Sequence, residues 1–269
     1  MQNLNSQKPN GQRLKEKTAI VTGASRGIGR AIAIRLAKEG ARTVLCARDA
    51  EALNSAVREI EEAGGAAAAI ALDLRVPENP SRLAEFALTR FNNIDVIVNN
   101  AGATKRGEFA DLSEEDWADG FALKFFGAVR LTRAAWPHLK ATSGSVVNIS
   151  GIGGRTPGSQ FTIGGSVNAA MLSFTKAMAD TGIRDGVQVN AISPGTIRTD
   201  RFQKRLVAMA AEQGVDLAVA EQGFIDDSKI SRIGEPEEIA SLVAFMASPE
   251  GRYLHGALID MDGGATKTI

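Results

Sequence analysis

Tyrosine occurs once in this chain, at Tyr253, close to the C-terminal end. Cysteine also occurs once, at Cys46, and histidine twice, at His138 and His255. A lone cysteine excludes an internal disulfide and any cysteine-built metal site. It fits a reducing compartment, so a cytoplasmic location is expected. Cys46 lies in an apolar run, where a small buried hydrophobe is its simplest role. The histidines are far apart and no metal-ligand cluster appears, so no metal is expected. Charge of one sign is lacking too: Lys plus Arg number 31, and Asp plus Glu 31. That balance argues against bulk nucleic-acid binding and against a polybasic membrane patch, although a local basic cluster can still meet a phosphate. There is no run of about eighteen apolar residues, so no membrane-spanning helix is expected. Residues 1–16 are polar, lack the apolar stretch of a signal peptide and read as a flexible tail.

What is present is a regular alternation of short apolar runs and helical patterns. Strands are expected at 18–22, 43–47, 68–72, 95–98, 145–149, 187–192 and 257–260. Helices are expected at about 27–39, 51–63, 81–91, 114–139, 166–181 and 236–246. Such alternation predicts an α/β fold: a single-domain, Rossmann-type, doubly wound parallel sheet of about seven strands, with right-handed crossovers and helices on both faces. The domain is expected to run from 17 to 269 without an internal boundary. Residues 194–233 form one long irregular segment with helical patches such as 201–211. Its place after a strand end suggests a substrate lid.

Thr22-Gly23-Ala24-Ser25-Arg26-Gly27-Ile28-Gly29 lies between the first strand and the first helix. Glycines allow a tight turn and a close backbone approach to an anion. The helix start then offers free N–H groups and the positive end of its dipole to a pyrophosphate. Asn99-Asn100-Ala101-Gly102 follows the fourth strand. Val189-Asn190-Ala191-Ile192-Ser193-Pro194-Gly195 is followed by Thr199, and Asp262-Gly263-Gly264 closes the last strand. Together these motifs resemble the short-chain dehydrogenase/reductase family over nearly the whole chain.

The resemblance implies cofactor contacts at Gly23, Ser25, Arg26, Gly27, Ile28, Gly29, Arg48, Asp73, Leu74, Asn100, Ala101, Gly102, Asn168, Pro194, Gly195, Ile197 and Thr199. NAD-selective members end the second strand with an acidic residue. Here Ala47 stands there and Arg48 follows. A carboxylate would repel a 2′-phosphate, whereas a guanidinium can grip it with two prongs. Arg26 adds a second positive charge, so NADP(H) is the expected cofactor.

In members of this family a Tyr handles the proton at the substrate oxygen, and a Lys four residues on lowers its pKa. A Ser orients the carbonyl, and an Asn supports a water relay. An unshifted phenol near pKa 10 needs such a cation to act near neutrality. The run Ala169-Ala170-Met171-Leu172-Ser173-Phe174-Thr175-Lys176 resembles the stretch just after the family's Lys. That puts Asn168 at the Lys position and Gly164 at the Tyr position. A shift of one gives Val167 and Ile163 instead. Gly151 falls at the Ser position with Ser150 adjacent, and Lys124 stands where the Asn is expected. By this reading the chain is a divergent member without the Asn-Ser-Tyr-Lys tetrad.

Lys124 is the candidate catalytic group. Desolvated in the space left by the missing Lys, it could act as acid or base; the competing reading has it pointing to solvent or a subunit interface. Ser150, Thr162 and Ser166 offer hydroxyls, and Arg155 could bind an anionic substrate. The expected function is an NADP(H)-dependent oxidoreductase with a non-standard site, acting on a small apolar carbonyl, alcohol or activated C=C substrate. One alternative is a catalytically silent NADP(H)-binding sensor or partner subunit. Another is non-redox, lyase-type chemistry on the same fold. The family's habits imply a homodimer or homotetramer, with Phe121, Phe125, Phe126 and Val129, and Met171, Phe174 and Met178, as apolar faces that serve either an interface or the monomer core.

Overall fold

The computed structural model describes residues 12–267. β1 (Thr18–Thr22), β2 (Arg42–Ala47), β3 (Ala66–Ala71), β4 (Val96–Asn99), β5 (Ser145–Ile149), β6 (Gln188–Pro194) and β7 (Leu258–Met261) form one sheet in the order β3-β2-β1-β4-β5-β6-β7. Every neighbouring pair is parallel. Parallel strands need crossovers that cover both sheet faces, and β1, β4, β5 and β6 are buried along their full length. On one face α1 (Gly27–Lys38), α2 (Ala50–Glu62) and α9 (Pro236–Ala247) supply Ile32, Leu36, Leu53, Ile60, Ile239 and Val243. On the other, α3 (Asn79–Phe91), α5 (Gly127–Thr142) and α6 (Thr162–Asp185) supply Leu83, Ala87, Leu131, Leu139 and Ala179. The cysteine behaves as the apolar run implies: Cys46 is fully buried in β2, and burial pushes its thiol up to about 12.

Four local features depart from the expectations. The expected helix over 114–139 is α4 (Glu114–Phe121), a π-turn (Ala122–Phe126) and α5 in one continuous rod. The extra residue of a π-turn re-aims the residues beyond it by about 100°, which periodicity alone does not reveal. Lys124 sits in that turn. Second, α6 begins at Thr162 rather than near 166. Gly164 and Gly165 discourage a helix by propensity, but close neighbours demand glycine there. Third, the segment 194–233 is not irregular. It folds into α7 (Asp200–Gln213) and α8 (Leu217–Ser228), which share a small core of Phe202, Leu206, Phe224 and Ile230.

Fourth, part of the expected tail is packed. Leu14 is 1% exposed and donates its N–H to Glu39 O at 2.8 Å. Arg13 pairs with Glu39 at 2.5 Å and with Glu250 at 2.8 Å. One buried leucine, worth roughly 1.5–3 kcal/mol, is enough to anchor a short polar strap. Residues 1–11 of that tail lie outside the described residues.

Candidate functional site

The glycine turn between β1 and α1 is shaped by close approach. A Cβ on Gly29 would fall 2.2 Å from Gly23 O and 2.4 Å from Asn100 Nδ2. Gly23 and Gly27 hold φ of +66° and +53°, which glycine adopts freely. Asn100 clamps the turn by donating from Nδ2 to Thr22 O at 2.9 Å and to Gly23 O at 3.3 Å. Thr22 Oγ1 in return accepts from the backbone N–H groups of Asn100 and Ala101 at 2.9 and 3.0 Å. Arg26 is the N-cap of α1 with no side-chain capping hydrogen bond, and the first turn carries no acidic residue. Ser25 and Ile28 are half-buried beside it. The positive end of α1 therefore stays open to an anion.

Around this turn the other expected cofactor residues gather at the C-terminal edge of the sheet. Thr199 Cγ2 lies 3.2 Å from the Cβ position of Gly27, so the segment after β6 leans over the turn. Pro194 ends β6, and Gly195 donates its N–H to Met261 O at 3.0 Å, with Asp262 so close that a Cβ would sit 2.7 Å from its Cα. Arg48 follows β2 with its side chain 67% exposed, 3.9 Å from Asp73 Oδ2. Asp73 is held in turn by the Arg75 N–H at 3.0 Å. Leu74 and Ile197 are brought to the same edge, but their side chains enter the hydrophobic clusters, leaving only their backbones for a ligand.

Lys124 reaches in from the π-turn. Its Nζ donates to Ser150 O at 2.7 Å and to Asn168 Oδ1 at 2.6 Å. Its stem packs against Gly102, whose Cβ position is 2.8 Å from Lys124 Cδ. The expected alternative of a solvent-facing lysine is thereby excluded. Desolvation first, and the Arg201 charge second, pull its amine from the usual 10.5 down to about 7. Ser150 Oγ donates to Asn168 O at 3.0 Å and so ties β5 to α6. Asn168 Nδ2 faces Gly151, whose Cβ position is 2.8 Å away, and makes no hydrogen bond among the described residues.

The first turn of α6 is crowded by an aromatic ring. A Cβ on Gly164 would fall 2.0 Å from Phe161 Cζ, and one on Gly153 would fall 2.9 Å from Phe161 Cδ1. The Arg106 guanidinium lies over this ring at 3.9 Å from its centroid. Neither Phe161 nor Arg106 stood out in the sequence; the Phe161–Gly164–Gly165 spacing at a helix start was the available signal.

Other sequence candidates fall elsewhere. Arg155 pairs with Asp260 at 3.5 Å rather than standing free for an anion. Ser166 is exposed on α6, whereas Thr162 Oγ1 is buried without a partner among the described residues. His255 meets Ala179 O at 2.6 Å, and Tyr253 is fully exposed. A recess of about 330 Å³ lies behind Thr196 and Ile197 and is walled by Arg232, Glu238 and Asp262. Its lining includes neither Lys124 nor the glycine turn.

Comparison with known proteins gives this geometry a lineage. A family model described as enoyl-(acyl carrier protein) reductase matches residues 23–266. An uncharacterized oxidoreductase of Mycobacterium tuberculosis is 36% identical over 256 residues, covering 94% of each chain. The L-sorbose reductase of Gluconobacter frateurii, solved with NADPH and L-sorbose, superposes with a TM-score of 0.91 at 33% identity, covering 95% of this chain and 98% of its own. A short-chain oxidoreductase of Pseudomonas aeruginosa PAO1, described as containing an atypical catalytic center, superposes with a TM-score of 0.89 at 29% identity, covering 95% and 99%. With its parallel sheet, its glycine turn and these matches over most of its length, the chain belongs to the short-chain dehydrogenase/reductase family of oxidoreductases.

Proposed function

We propose that this chain is an NADP(H)-dependent oxidoreductase of small carbonyl or alcohol substrates, or of an activated C=C bond, in which Lys124 moves the proton. The observation that carries the reading is the placement of Lys124 Nζ, 2.7 Å from Ser150 O and 2.6 Å from Asn168 Oδ1, with its amine brought to about 7. The cradle fits the cofactor: the glycine approach, the open start of α1 and the exposed Arg48 suit a pyrophosphate and a 2′-phosphate. The NADPH found with the Gluconobacter reductase supports the same choice. When bound, this cofactor supplies or accepts the hydride. The protein's own task is then the proton at the substrate oxygen.

Lys124 is equipped for that task. Two N–H bonds are committed to Ser150 O and Asn168 Oδ1. The third position carries a proton in the ammonium and a lone pair in the amine. With a value of about 7, both forms are populated at neutrality. General acid–base catalysis works best when the group's pKa lies near the working pH. In the motif placement that puts Asn168 at the family's Lys position, the residue types are transposed, with lysine at the Asn position and asparagine at the Lys position. Because the two side chains touch, the transposition keeps a Lys–Asn pair in one contact. Asn168 Nδ2 remains to hold the nicotinamide ribose.

The remaining expectations belong to the same reading. Residues 194–233, with their own small core, act as a substrate lid. The protein is a cytoplasmic homodimer or homotetramer; the exposed Phe126, beside the edge-packed rings of Phe121, Phe125 and Phe174, suits a subunit contact. A second reading, cofactor binding without turnover, draws support from the Phe161 ring filling the space beside Gly164. One experiment separates the two. Lys124→Met is expected to lose turnover by about 100-fold or more while keeping its NADPH dissociation constant. A protein that binds NADPH but turns over no carbonyl or alcohol in either form supports the silent reading.

A further inference from the structure

Three arginines converge on the Lys124 cleft from two sides. Arg201, in the first turn of α7, donates to Gly102 O at 3.4 Å, the residue against which the Lys124 stem packs. Arg205 follows one turn later on the same helix face, with its guanidinium 5.0 Å from the Phe224 ring centroid. Arg106 comes from the opposite wall, the loop after β4, and lies on Phe161. That loop is fixed to the α6 entrance, since Gly107 donates its N–H to Gln160 O at 3.2 Å.

Among the described residues none of the three makes an ion pair, whereas the adjacent Lys105 is neutralised by Asp116 at 2.7 Å. Like charges at i and i+4 destabilise a helix, and a third cation facing them adds to the cost. Arg106 feels this: burial, then Arg205, then Arg201 lower its pKa from the usual value. The Phe161 and Phe224 rings support the Arg106 and Arg205 guanidinium groups through their faces, and the N–H edges are left for a ligand. An arrangement that is unfavourable when empty becomes favourable around an anion.

We propose that Arg106, Arg201 and Arg205 form an anion-binding rim of this cleft, and that the substrate carries a carboxylate or phosphate group which bridges α7 to the loop after β4. The location of the reacting carbon beside Lys124 rests on the function proposed above; the anion site itself does not. It is distinct from the Arg26 and Arg48 pair, which stands at the glycine turn and the end of β2.

Calorimetry on the NADP⁺-loaded protein tests this with 4-oxocyclohexanecarboxylate, phenyl phosphate and the neutral 4-oxocyclohexanecarboxamide. At least one anion is expected to bind about tenfold tighter than the amide. The Arg201→Gln/Arg205→Gln variant, altered only on an exposed helix face, is expected to bind acid and amide alike while keeping its NADP⁺ affinity. The better of the two anions identifies the substrate's group. Equal binding of acid and amide by the parent protein, no binding of either anion, or a preference that survives in the variant overturns the proposal. A variant that loses NADP⁺ instead would assign these arginines to the cofactor and overturn it as well. Binding is read without turnover, so an inactive protein that still prefers the anion removes the catalytic reading and leaves this one standing.

Discussion

The ring of Phe161 lies where a side chain at Gly164 would stand, 2.0 Å from that residue's Cβ position. Alanine in place of glycine inside a helix ordinarily stabilises by roughly 0.5–1 kcal/mol. Here the sign is expected to reverse. The ring is held by Gly153 on one side and Arg106 on the other, so it cannot swing away freely. Gly164→Ala should destabilise by about 1–3 kcal/mol in urea unfolding, and the penalty should shrink sharply in a Phe161→Ala background. Additive losses in the double variant would show that the ring does not fill this space.

Lys124 makes two predictions of pH dependence. In the reducing direction the ammonium donates, so the rate should fall as pH rises through about 7; in the oxidising direction it should rise over the same range. Stability gives an independent check. The folded value, about 7, lies below the ordinary 10.5. Between those values the unfolded chain binds more protons, so stability rises with pH across that window. Below it the cost of burying the charge is felt in full. Lys124→Met removes the titration, and its melting temperature should climb less between pH 7 and pH 10 than that of the parent protein. Parallel curves would mean that the amine is not perturbed.

The positions of the strands along the chain and the glycine turn were legible because they rest on local chemistry. Apolar runs such as 18–22 and 145–149 can only be buried strands between covering helices, and a glycine turn before a helix announces its own geometry. Lys124 was legible as a candidate because desolvation follows from a gap opposite it. Its partners were not, since the π-turn at Ala122–Phe126 sets its direction and a single insertion in the hydrogen-bond ladder leaves no periodic trace. The start of α6 was hidden for a different reason. Gly164 and Gly165 lower helix propensity, and only the tertiary closeness of Phe161, Gly153 and Pro157 explains why glycine is required. Helices α7 and α8 were read as one irregular segment with helical patches because 214–216 interrupts the pattern with Gly214 in a left-handed cap.

Arg48 should decide between the two nicotinamide cofactors. Its side chain is largely exposed, and among the described residues the one acid at ion-pair distance, Asp73, is 3.9 Å away and already held by Arg75. A guanidinium so placed can close on a 2′-phosphate without first breaking a strong pair. Arg48→Ala is expected to weaken NADPH by about 10–100-fold in fluorescence titration and to leave NADH nearly unchanged. Raising the salt concentration should weaken NADPH more than NADH in the parent protein, because the extra phosphate contact is exposed and screened. Equal losses for both cofactors would place Arg48 away from the 2′ position.

Arg13 should carry more stability than a residue in a polar leader is expected to. Glu39, with a side chain only 6% exposed, lies at the end of α1 and accepts from Arg13 and Arg35. The hydrogen bonds from Arg13 hold its carboxyl below the usual carboxylate range, against the opposing effect of burial. Arg13 also reaches Glu250, beyond α9, so it joins the segment before β1 to the ends of two of the three helices on that sheet face. Removing it leaves a buried carboxylate with one partner instead of two. Arg13→Ala should therefore cost about 2–4 kcal/mol in urea unfolding at pH 7. A depressed carboxylate stabilises the fold above its unfolded pKa, and that contribution is lost as pH falls through the folded value. The gap between variant and parent should accordingly narrow in acid. A gap that is small at pH 7, or that widens on acidification, would remove Glu39 as the reason Arg13 is bound.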